Sequence, residues 1–205
     1  MIRFKQFIVE RSDTQRHAVM AYMRANPPTI GHAKVLDKVF STAGHHHVVI
    51  SHTQDNKKNP LSGEEKRDIV RTMYPGQAQS IHTSTKEEPT LMHHAAKLHR
   101  AGFKHLTVVA GDDRVGEYHK LLNSYNGKFD DKGNGYKFDS IHVVSSGARD
   151  PDAEGTEGMS ATKMREAAMK GDEKTFKSGL HPKVQHMAKD LMGKIKERLA
   201  PNEAK

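Results

Sequence analysis

"HLTVVAGDDR", residues 105–114, contains the clearest β-strand of this chain. Its first seven residues are apolar on both faces, which is typical of a parallel strand buried inside a sheet. Gly111 ends the strand, and two aspartates and an arginine follow at once. The stretch therefore predicts a parallel sheet whose strand ends carry polar residues.

Strand-like and helix-like patterns alternate on either side of this stretch. Strands are predicted over 17–24, 45–53, 79–84, 105–111 and 138–145. Helices are predicted over 31–43, 62–74, 89–102 and 114–125, and near the C-terminus over about 160–170, 172–178 and 182–199. This order predicts an α/β fold, a Rossmann-like, doubly wound sheet of about five parallel strands with helices on both faces, plus C-terminal helices.

The same pattern suggests a domain organisation. We expect an N-terminal leader over 1–16, one domain over 17–181, and a C-terminal helix and tail over 182–205. Ligands of open parallel sheets bind at the carboxyl ends of the strands. Conspicuous polar segments follow four of the predicted strands, so we expect one ligand-binding cleft there.

The composition limits the classes of function. The 205 residues carry a formal net charge of +8 and contain no cysteine, with 35% hydrophobic and 6% aromatic residues. Basic charge favours phosphate-bearing partners, but interleaved aromatics that stack bases are missing, so nucleic acid is not the expected partner. No apolar run approaches the roughly 18 residues that span a membrane, and the absence of disulfide chemistry fits a cytoplasmic protein.

Fifteen histidines raise the question of a metal site, above all "HHH" at 45–47 and "HH" at 93–94. Adjacent residues on a strand point to opposite faces, and adjacent residues on a helix cannot both face one ion. We therefore expect structural or surface histidines and no protein-held metal.

"NPPTIGH", residues 26–32, follows the first predicted strand and leads into a helix. The two prolines end the strand, and Gly31 allows a ligand to approach the backbone closely. Thr29 and His32 lie at the helix start, where free N–H groups and the positive helix end favour phosphate. The alternative is a capped helix start with a surface histidine.

Three further segments have the chemistry of anion sites. Ser160, Thr162 and Arg165 open a late helix with two hydroxyls and a cation. Lys57, beside Lys58, follows the second strand, where an ammonium can reach a triphosphate. The aspartates after Gly111 can bind a ribose hydroxyl, a base or a metal. In each case the alternative is an ordinary helix cap or a solvated charge.

In this order the four segments resemble the cytidylyltransferase-like nucleotidyltransferase superfamily. They are Thr-x-Gly-His after strand one, a Lys-rich loop after strand two, Gly-x-Asp after strand four, and Ser-x-Thr-x-x-Arg at a late helix. The superfamily includes nicotinamide-mononucleotide and pantetheine-phosphate adenylyltransferases and glycerol-phosphate cytidylyltransferases. The resemblance spans about residues 17–185, and the order and spacing of the segments are more specific than any one of them.

The resemblance implies a role for each matching residue. His32 would bind the α- and β-phosphates, and Lys57 would bridge the attacking phosphate and the α-phosphate. Arg165, with Ser160 and Thr162, would bind the β- and γ-phosphates of the leaving group. The remaining nucleotide-binding residues implied by the resemblance are Arg24, Ala25, Asn26, Thr29, Gly31, Gly111 and Asp113.

The implied activity is transfer of an adenylyl or cytidylyl group from ATP or CTP to a phosphorylated small-molecule acceptor, with release of pyrophosphate. Mg²⁺ is expected with the triphosphate. The sequence departs from the family at Met23 and Ala25, where the family has glycine and phenylalanine, and at Gly155, where cytidylyltransferases have arginine.

Met23 and Ala25, together with the leader and the basic surface, motivate an alternative, a catalytically impaired protein of this fold that serves as a binding or structural module of a larger assembly, whereas Gly155 weakens only the CTP reading. The leader also resembles short leaders of proteins from large tailed phages, so a phage-encoded protein acting in host cytoplasm or virion is a hypothesis. The sequence leaves open whether the chain forms a homo-oligomer.

Overall fold

The computed structural model describes residues 16–147 and 159–200 of the chain. A five-stranded sheet has the spatial order β3-β2-β1-β4-β5 and is parallel throughout. Its strands are β1 (His17–Met23), β2 (His45–Ile50), β3 (Ile81–Thr83), β4 (His105–Ala110) and β5 (Ser140–Ser145). In register, His105 of β4 lies opposite His17 of β1 on one side and Ser140 of β5 on the other. The Rossmann-like α/β fold predicted from the sequence is therefore confirmed.

Helices connect and follow the strands. The α-helices are α1 (Ile30–Ser41), α2 (Gly63–Met73), α3 (Leu91–Arg100), α4 (Asp112–Tyr125), α5 (Ala161–Lys170), α6 (Glu173–Ser178) and α7 (Ala188–Leu199). Short 3-10 turns cover Pro75–Ser80 and Pro182–Met187. The capping box at the start of α2 is present as predicted, because Ser62 accepts from the Glu65 amide and Glu65 accepts from the Ser62 amide.

The structure corrects several predicted boundaries. The segment predicted as one helix over 182–199 is a 3-10 turn followed by α7. The turn begins at Pro182, and its hydrogen bonds join residues three apart, as from the Val184 N–H to the His181 carbonyl. Helix α4 begins at Asp112 and not at 114, since Gly111, and not an aspartate, holds the N-cap position. The second strand ends at Ile50, and α1 ends at Ser41.

The chain divides into two compact units, each built from three chain segments. The first unit comprises 1–22, 35–49 and 87–148, and the second comprises 23–34, 50–86 and 149–205. The predicted boundaries at 17 and 182 remain predictions.

The first unit has an apolar core between sheet and helices. Twelve buried side chains form it, with Tyr136 as one of the largest fully buried side chains. They are Ala18, Met20, Leu91, Ala95, Ala96, Leu98, Leu106, Val108, Leu122, Tyr136, Phe138 and Ile141.

The second unit is mainly helical. Helix α5 contacts α6 and α7, and α2 contacts β3 and the 3-10 turn at Pro182–Met187. Its large, fully buried apolar side chains include Ile50, Leu61, Ile69, Met73, Ile81 and Phe176. Across 16–147 and 159–200, no helix is both long and apolar enough to cross a membrane.

Candidate active site

The second unit contains every predicted site residue except Gly111 and Asp113. Those two lie in the first unit, at the N-terminus of α4. Gly111 is the N-cap, and the Asp113 carboxylate is exposed and 3.7 Å from the Arg114 guanidinium. A nucleoside-binding role for Gly111 and Asp113 remains a prediction.

At the start of α1, Thr29 fixes the ring of His32. The Thr29 backbone N–H donates to His32 Nδ1 at 3.1 Å, and the Thr29 hydroxyl lies 2.9 Å from the same nitrogen. Because a backbone amide only donates, Nδ1 is the acceptor nitrogen of the neutral ring, and the ring proton belongs on Nε2. Since Thr29 is only 2% exposed, its hydroxyl orients the imidazole from inside the protein.

Gly31 precedes His32 at a position where an added side-chain carbon would meet little outside its chain neighbours and its own helix backbone. A Cβ built at Gly31 would have one neighbouring atom within 4 Å, the Thr29 hydroxyl oxygen at 3.5 Å, which is an ordinary contact. The preceding amide, of Ile30, donates to the carbonyl of Gly179 at 3.0 Å and so fixes the helix start. The glycine therefore provides a close approach to the backbone and is not required by the packing.

The segment of residues 24–29, here named the Asn26 loop, joins three parts of the second unit. The Asn26 side chain donates to the Leu61 carbonyl at 2.9 Å and accepts from the Leu61 N–H at 3.0 Å. The Asn26 carbonyl accepts from Arg165 at 2.7 Å. With 3% of its surface exposed, Asn26 holds the loop in place through its amide.

Met23 and Ala25, two of the positions at which the sequence departs from the pattern it resembles, lie just before and in this loop. The Met23 side chain is 7% exposed and is counted in the buried core, so the protein itself encloses it. Ala25 is 1% exposed and has φ +45°, a left-handed conformation that costs an alanine roughly 1 kcal/mol. Arg24 is exposed. The loop is thus held in an unfavourable backbone conformation by its buried neighbours.

Helix α5 brings a second cation to the Asn26 loop. Ser160 is the N-cap and accepts from the Lys163 N–H at 3.0 Å, as the sequence predicts. Besides the bond to Asn26, Arg165 donates to the Thr162 hydroxyl at 3.1 Å. Burial lowers the pKa of Arg165. Two of the five guanidinium N–H groups serve these bonds.

Residues 55–59, here named the Asp55 loop, carry Lys57. The Asp55 carboxylate accepts from the backbone N–H groups of Lys57, Lys58 and Asn59 at 2.8, 2.6 and 3.1 Å. The Asn59 side chain also donates to it. These bonds, with the Lys58 amide first, hold the pKa of Asp55 well below its usual range. The side chain of Lys57 itself is exposed.

Sequence reasoning did not identify Lys66 of α2, which is 0% exposed. Its ammonium donates to the Thr53 carbonyl at 3.0 Å. Burial, and then the charge of Arg24, lower the pKa of Lys66 to about 8. A signal was present, because position 66 shares a helix face with the buried Ile69, Val70 and Met73.

A long-range ion pair, also absent from the sequence prediction, secures the start of α2. Arg198 of α7 donates to both carboxylate oxygens of Glu65 and to the Pro60 carbonyl. The hydrogen bond from Arg198 is the main reason that the pKa of Glu65 falls to about 2. Helix α7 thereby supports the segment that contains Leu61, the partner of Asn26.

The charges of the site influence one another. Arg24 lowers the pKa values of both Lys66 and Arg165, and Asp55 raises both. Glu64 also raises the pKa of Lys66, and Glu166 raises that of Arg165, so both cations and carboxylates act on the charges of this site. Among the residues that the structure describes, no three metal-binding side chains cluster together.

The fold is similar to solved structures of known enzymes. Two are of Plasmodium falciparum nicotinic acid mononucleotide adenylyltransferase, complexed with NaAD and with APC. Their TM-scores are 0.55 and 0.56 at 15% and 16% identity, covering 86% and 87% of this chain and 96% and 98% of theirs.

A third is a bifunctional NMN adenylyltransferase/ADP ribose pyrophosphatase from Francisella tularensis, with TM-score 0.54 and 15% identity over 92% of this chain and 53% of that one. No protein-family model and no curated protein matches the sequence. At this identity the similarity shows the fold, and the resemblance stated from the sequence is confirmed at that level.

Proposed function

We propose that this chain is a nucleotidyltransferase, which transfers an NMP group from a nucleoside triphosphate to a phosphorylated small molecule and releases pyrophosphate. One observation carries the proposal. Two of the segments expected to bind phosphate meet at the Asn26 loop, because Thr29 bonds to His32 and the Asn26 carbonyl accepts from Arg165. The same loop is bonded to Leu61, two residues after the Asp55 loop.

The reaction needs little covalent chemistry from the protein. An oxygen of the acceptor phosphate attacks the α-phosphorus in line, and the bond between the α-phosphorus and its bridging oxygen breaks, so pyrophosphate leaves with the electron pair. The attacking oxygen is already anionic, so no general base is required. Catalysis then consists of positioning and of stabilising the charge that develops on the phosphates.

The site residues suit these tasks. With Nδ1 occupied by Thr29, the Nε2–H of His32 would donate to the α- and β-phosphate oxygens. Arg165, Ser160 and Thr162 would bind the departing β- and γ-phosphates at the start of α5, and Gly31 would let the phosphates approach the backbone. Lys57 would bridge the two reacting phosphates.

We treat Mg²⁺ as part of the substrate. The charge of Asp55 raises the pKa values of both Lys66 and Arg165, and both its carboxylate oxygens already accept hydrogen bonds from protein N–H groups. Mg²⁺ binds phosphates readily and retains most of its waters, so it would enter as the nucleotide complex.

We propose ATP rather than CTP as the donor, because the three similar solved structures described above are of adenylyltransferases. The acceptor is left as a class, a phosphate monoester of a small molecule. The nucleoside-binding role of Gly111 and Asp113 and the roles of Arg24 and Ala25 belong to the same proposal.

The test is pyrophosphate release by the full chain with MgATP or MgCTP and a panel of phosphorylated acceptors. Release that depends on both nucleotide and acceptor supports the proposal. A chain that binds neither nucleotide at millimolar concentration is not this enzyme. Nucleotide binding without turnover, together with co-purification in an assembly, favours the non-catalytic module.

A further inference from the structure

Lys66 is the most fully enclosed charged side chain that the structure describes. It is 0% exposed, and its ammonium donates to the carbonyl of Thr53, three residues beyond the end of β2. Thr53 leads directly into the Asp55 loop, which carries Lys57. A partly buried contact from α2 therefore ties the helix to the chain between β2 and the Asp55 loop.

The surroundings of Lys66 disfavour its positive charge in three ways. Burial removes it from water, it lies in the N-terminal part of α2 where the helix dipole is positive, and Arg24 adds a like charge. Glu64 of its own helix and Asp55 oppose these effects. The Asp55 carboxylate, however, already accepts hydrogen bonds from its own loop.

A buried lysine in such a place is poorly explained by stability, because an apolar side chain would fill the same space at a lower cost in desolvation. An anion bound beside Arg24 and Arg165 would supply the missing counter-charge. Arg24 couples Lys66 to the proposed anion site, since the charge of Arg24 lowers the pKa values of both Lys66 and Arg165.

We propose that Lys66 is a positioning residue of the nucleotide site, which holds the chain at Thr53 through its ammonium and gains a compensating anion when the triphosphate binds. The inference rests on the proposed function and extends it to a residue outside the phosphate contacts. Lys66 acts through the Asp55 loop, and its side chain is too deeply buried to touch the substrate in this conformation.

A change in protonation is expected to accompany binding. With a pKa of about 8, Lys66 is only partly protonated at pH 8 in the free protein. A triphosphate near Arg24 raises that pKa, so binding at pH 8 takes up about half a proton per nucleotide, and less at pH 6.5. The charged groups that act on Lys66 are Arg24, Glu64 and Asp55.

Calorimetric titration of the full chain with MgATP, in two buffers of different ionisation enthalpy at pH 8 and pH 6.5, measures this uptake. Wild type should take up protons at pH 8, whereas Lys66→Met and Lys66→Arg should not. Lys183→Met is the matched control, because Lys183 also donates to a backbone carbonyl, that of Met73 at 3.2 Å, but is exposed. Its uptake should equal that of wild type.

Kinetics give the second measurement. Lys66→Met should lower kcat/KM about ten- to hundredfold through misplacement of the Asp55 loop, and Lys66→Arg should restore part of the loss. Nucleotide binding by wild type without proton uptake at pH 8 would overturn the inference and leave the proposed function intact. No binding of MgATP or MgCTP by wild type would overturn both. The wild-type uptake stands as a test even if a variant fails to fold.

Discussion

A five-residue pattern, Asp-x-Lys-x-Asn, occurs at 55–59 and again at 130–134, and both copies fold alike. In each, the lysine N–H donates to the aspartate carboxylate, at 2.8 Å for Lys57 and 2.9 Å for Lys132. In each, the aspartate N–H donates to the carbonyl of the asparagine, at 2.8 and 2.9 Å. The loop conformation is therefore a local property, and only the position of the first copy makes it a candidate for catalysis.

This duplication provides a controlled test of Lys57. Lys57→Ala should lower kcat/KM for pyrophosphate release about a hundredfold, because the ammonium stabilises charge on the reacting phosphates. Lys132→Ala removes an exposed lysine from the same kind of loop in the first unit and should leave the rate unchanged. Equal losses in the two variants would argue against a specific role for Lys57.

Gly31 allows a second test with little structural disturbance. An added methyl group meets only the Thr29 hydroxyl, at 3.5 Å, so Gly31→Ala should fold with a thermal midpoint close to that of wild type. The methyl group would still occupy the approach to the backbone, and kcat/KM should fall roughly ten- to hundredfold.

Gly116→Ala is its control. Gly116 lies inside α4 with nothing within 4 Å of the added carbon, so this change should raise stability by about 0.5–1 kcal/mol without an effect on the rate. Wild-type activity in Gly31→Ala would mean that phosphates do not approach there.

Helix α7 supports the candidate site through one side chain, that of Arg198. Arg198 joins Glu65, 133 residues away, and both belong to the chain of contacts that ends at Leu61 and Asn26. Arg198→Met should reduce the free energy of unfolding at pH 7 by about 1–3 kcal/mol, because it removes the main charged partner of a partly buried carboxylate and leaves only Lys194, at 3.8 Å. Denaturant titration measures the change.

The pH dependence of this stability difference tests whether Arg198 acts through the carboxylate of Glu65. The pKa of Glu65 is lowered from 4.5 to about 2, so its contribution is present above pH 4.5 and is lost as pH falls toward 2. The difference in stability between Arg198→Met and wild type should therefore shrink across that range. A difference that stays constant from pH 7 to pH 2.5 would show that Arg198 acts by packing alone.

As the pH falls, the whole molecule should begin to lose stability in the first unit, at a higher pH than the range in which Glu65 titrates. His47 and His94 are 8% and 3% exposed, their ring nitrogens are 3.4 Å apart, and His94 Nε2 lies 3.2 Å from the Glu88 carbonyl. Since the carbonyl only accepts, His94 carries its proton on Nε2 and accepts from His47 on Nδ1. A further proton on His94 would break this arrangement.

Burial lowers the pKa of His94 below 6.5, so the unfolded chain binds a proton there before the folded one does. The contribution of neutral His94 to stability is therefore fully present above pH 6.5 and is lost as the pH falls below it. Glu65 is still ionised at pH 5.5, so the two effects are separable. His94→Gln, which can hydrogen-bond but does not titrate, should lose less stability than wild type between pH 7.5 and 5.5; an equal loss would contradict the assignment.

The fold could be predicted from the sequence at positions where a short local pattern alone determines the secondary structure seen in the folded protein. The buried strand β4, the capping box at Ser62 and the N-cap at Ser160 follow from short segments, and the structure contains all three. The alternation of strands and helices then determines the parallel sheet.

Contacts between distant segments were not predictable in this way. The burial of Lys66 and the pairing of Arg198 with Glu65 depend on which helices meet, and lysine and arginine are ordinarily exposed. Of the predicted site, the structure brings Thr29, His32, Asn26 and Arg165 together and assigns Thr29 and Asn26 supporting contacts. The leader and residues 148–158, with Gly155, lie outside the described residues.

The most direct test of the account is the rate of pyrophosphate release after His32→Ala and His93→Ala. His93 is the matched control, because it too follows a threonine by three residues at a helix start, with Thr90 Oγ1 2.7 Å from its Nδ1. We predict that His32→Ala lowers kcat at least about a thousandfold while His93→Ala has no effect. A His32→Ala variant that keeps wild-type activity, or equal losses in both variants, would contradict the assignment of the site.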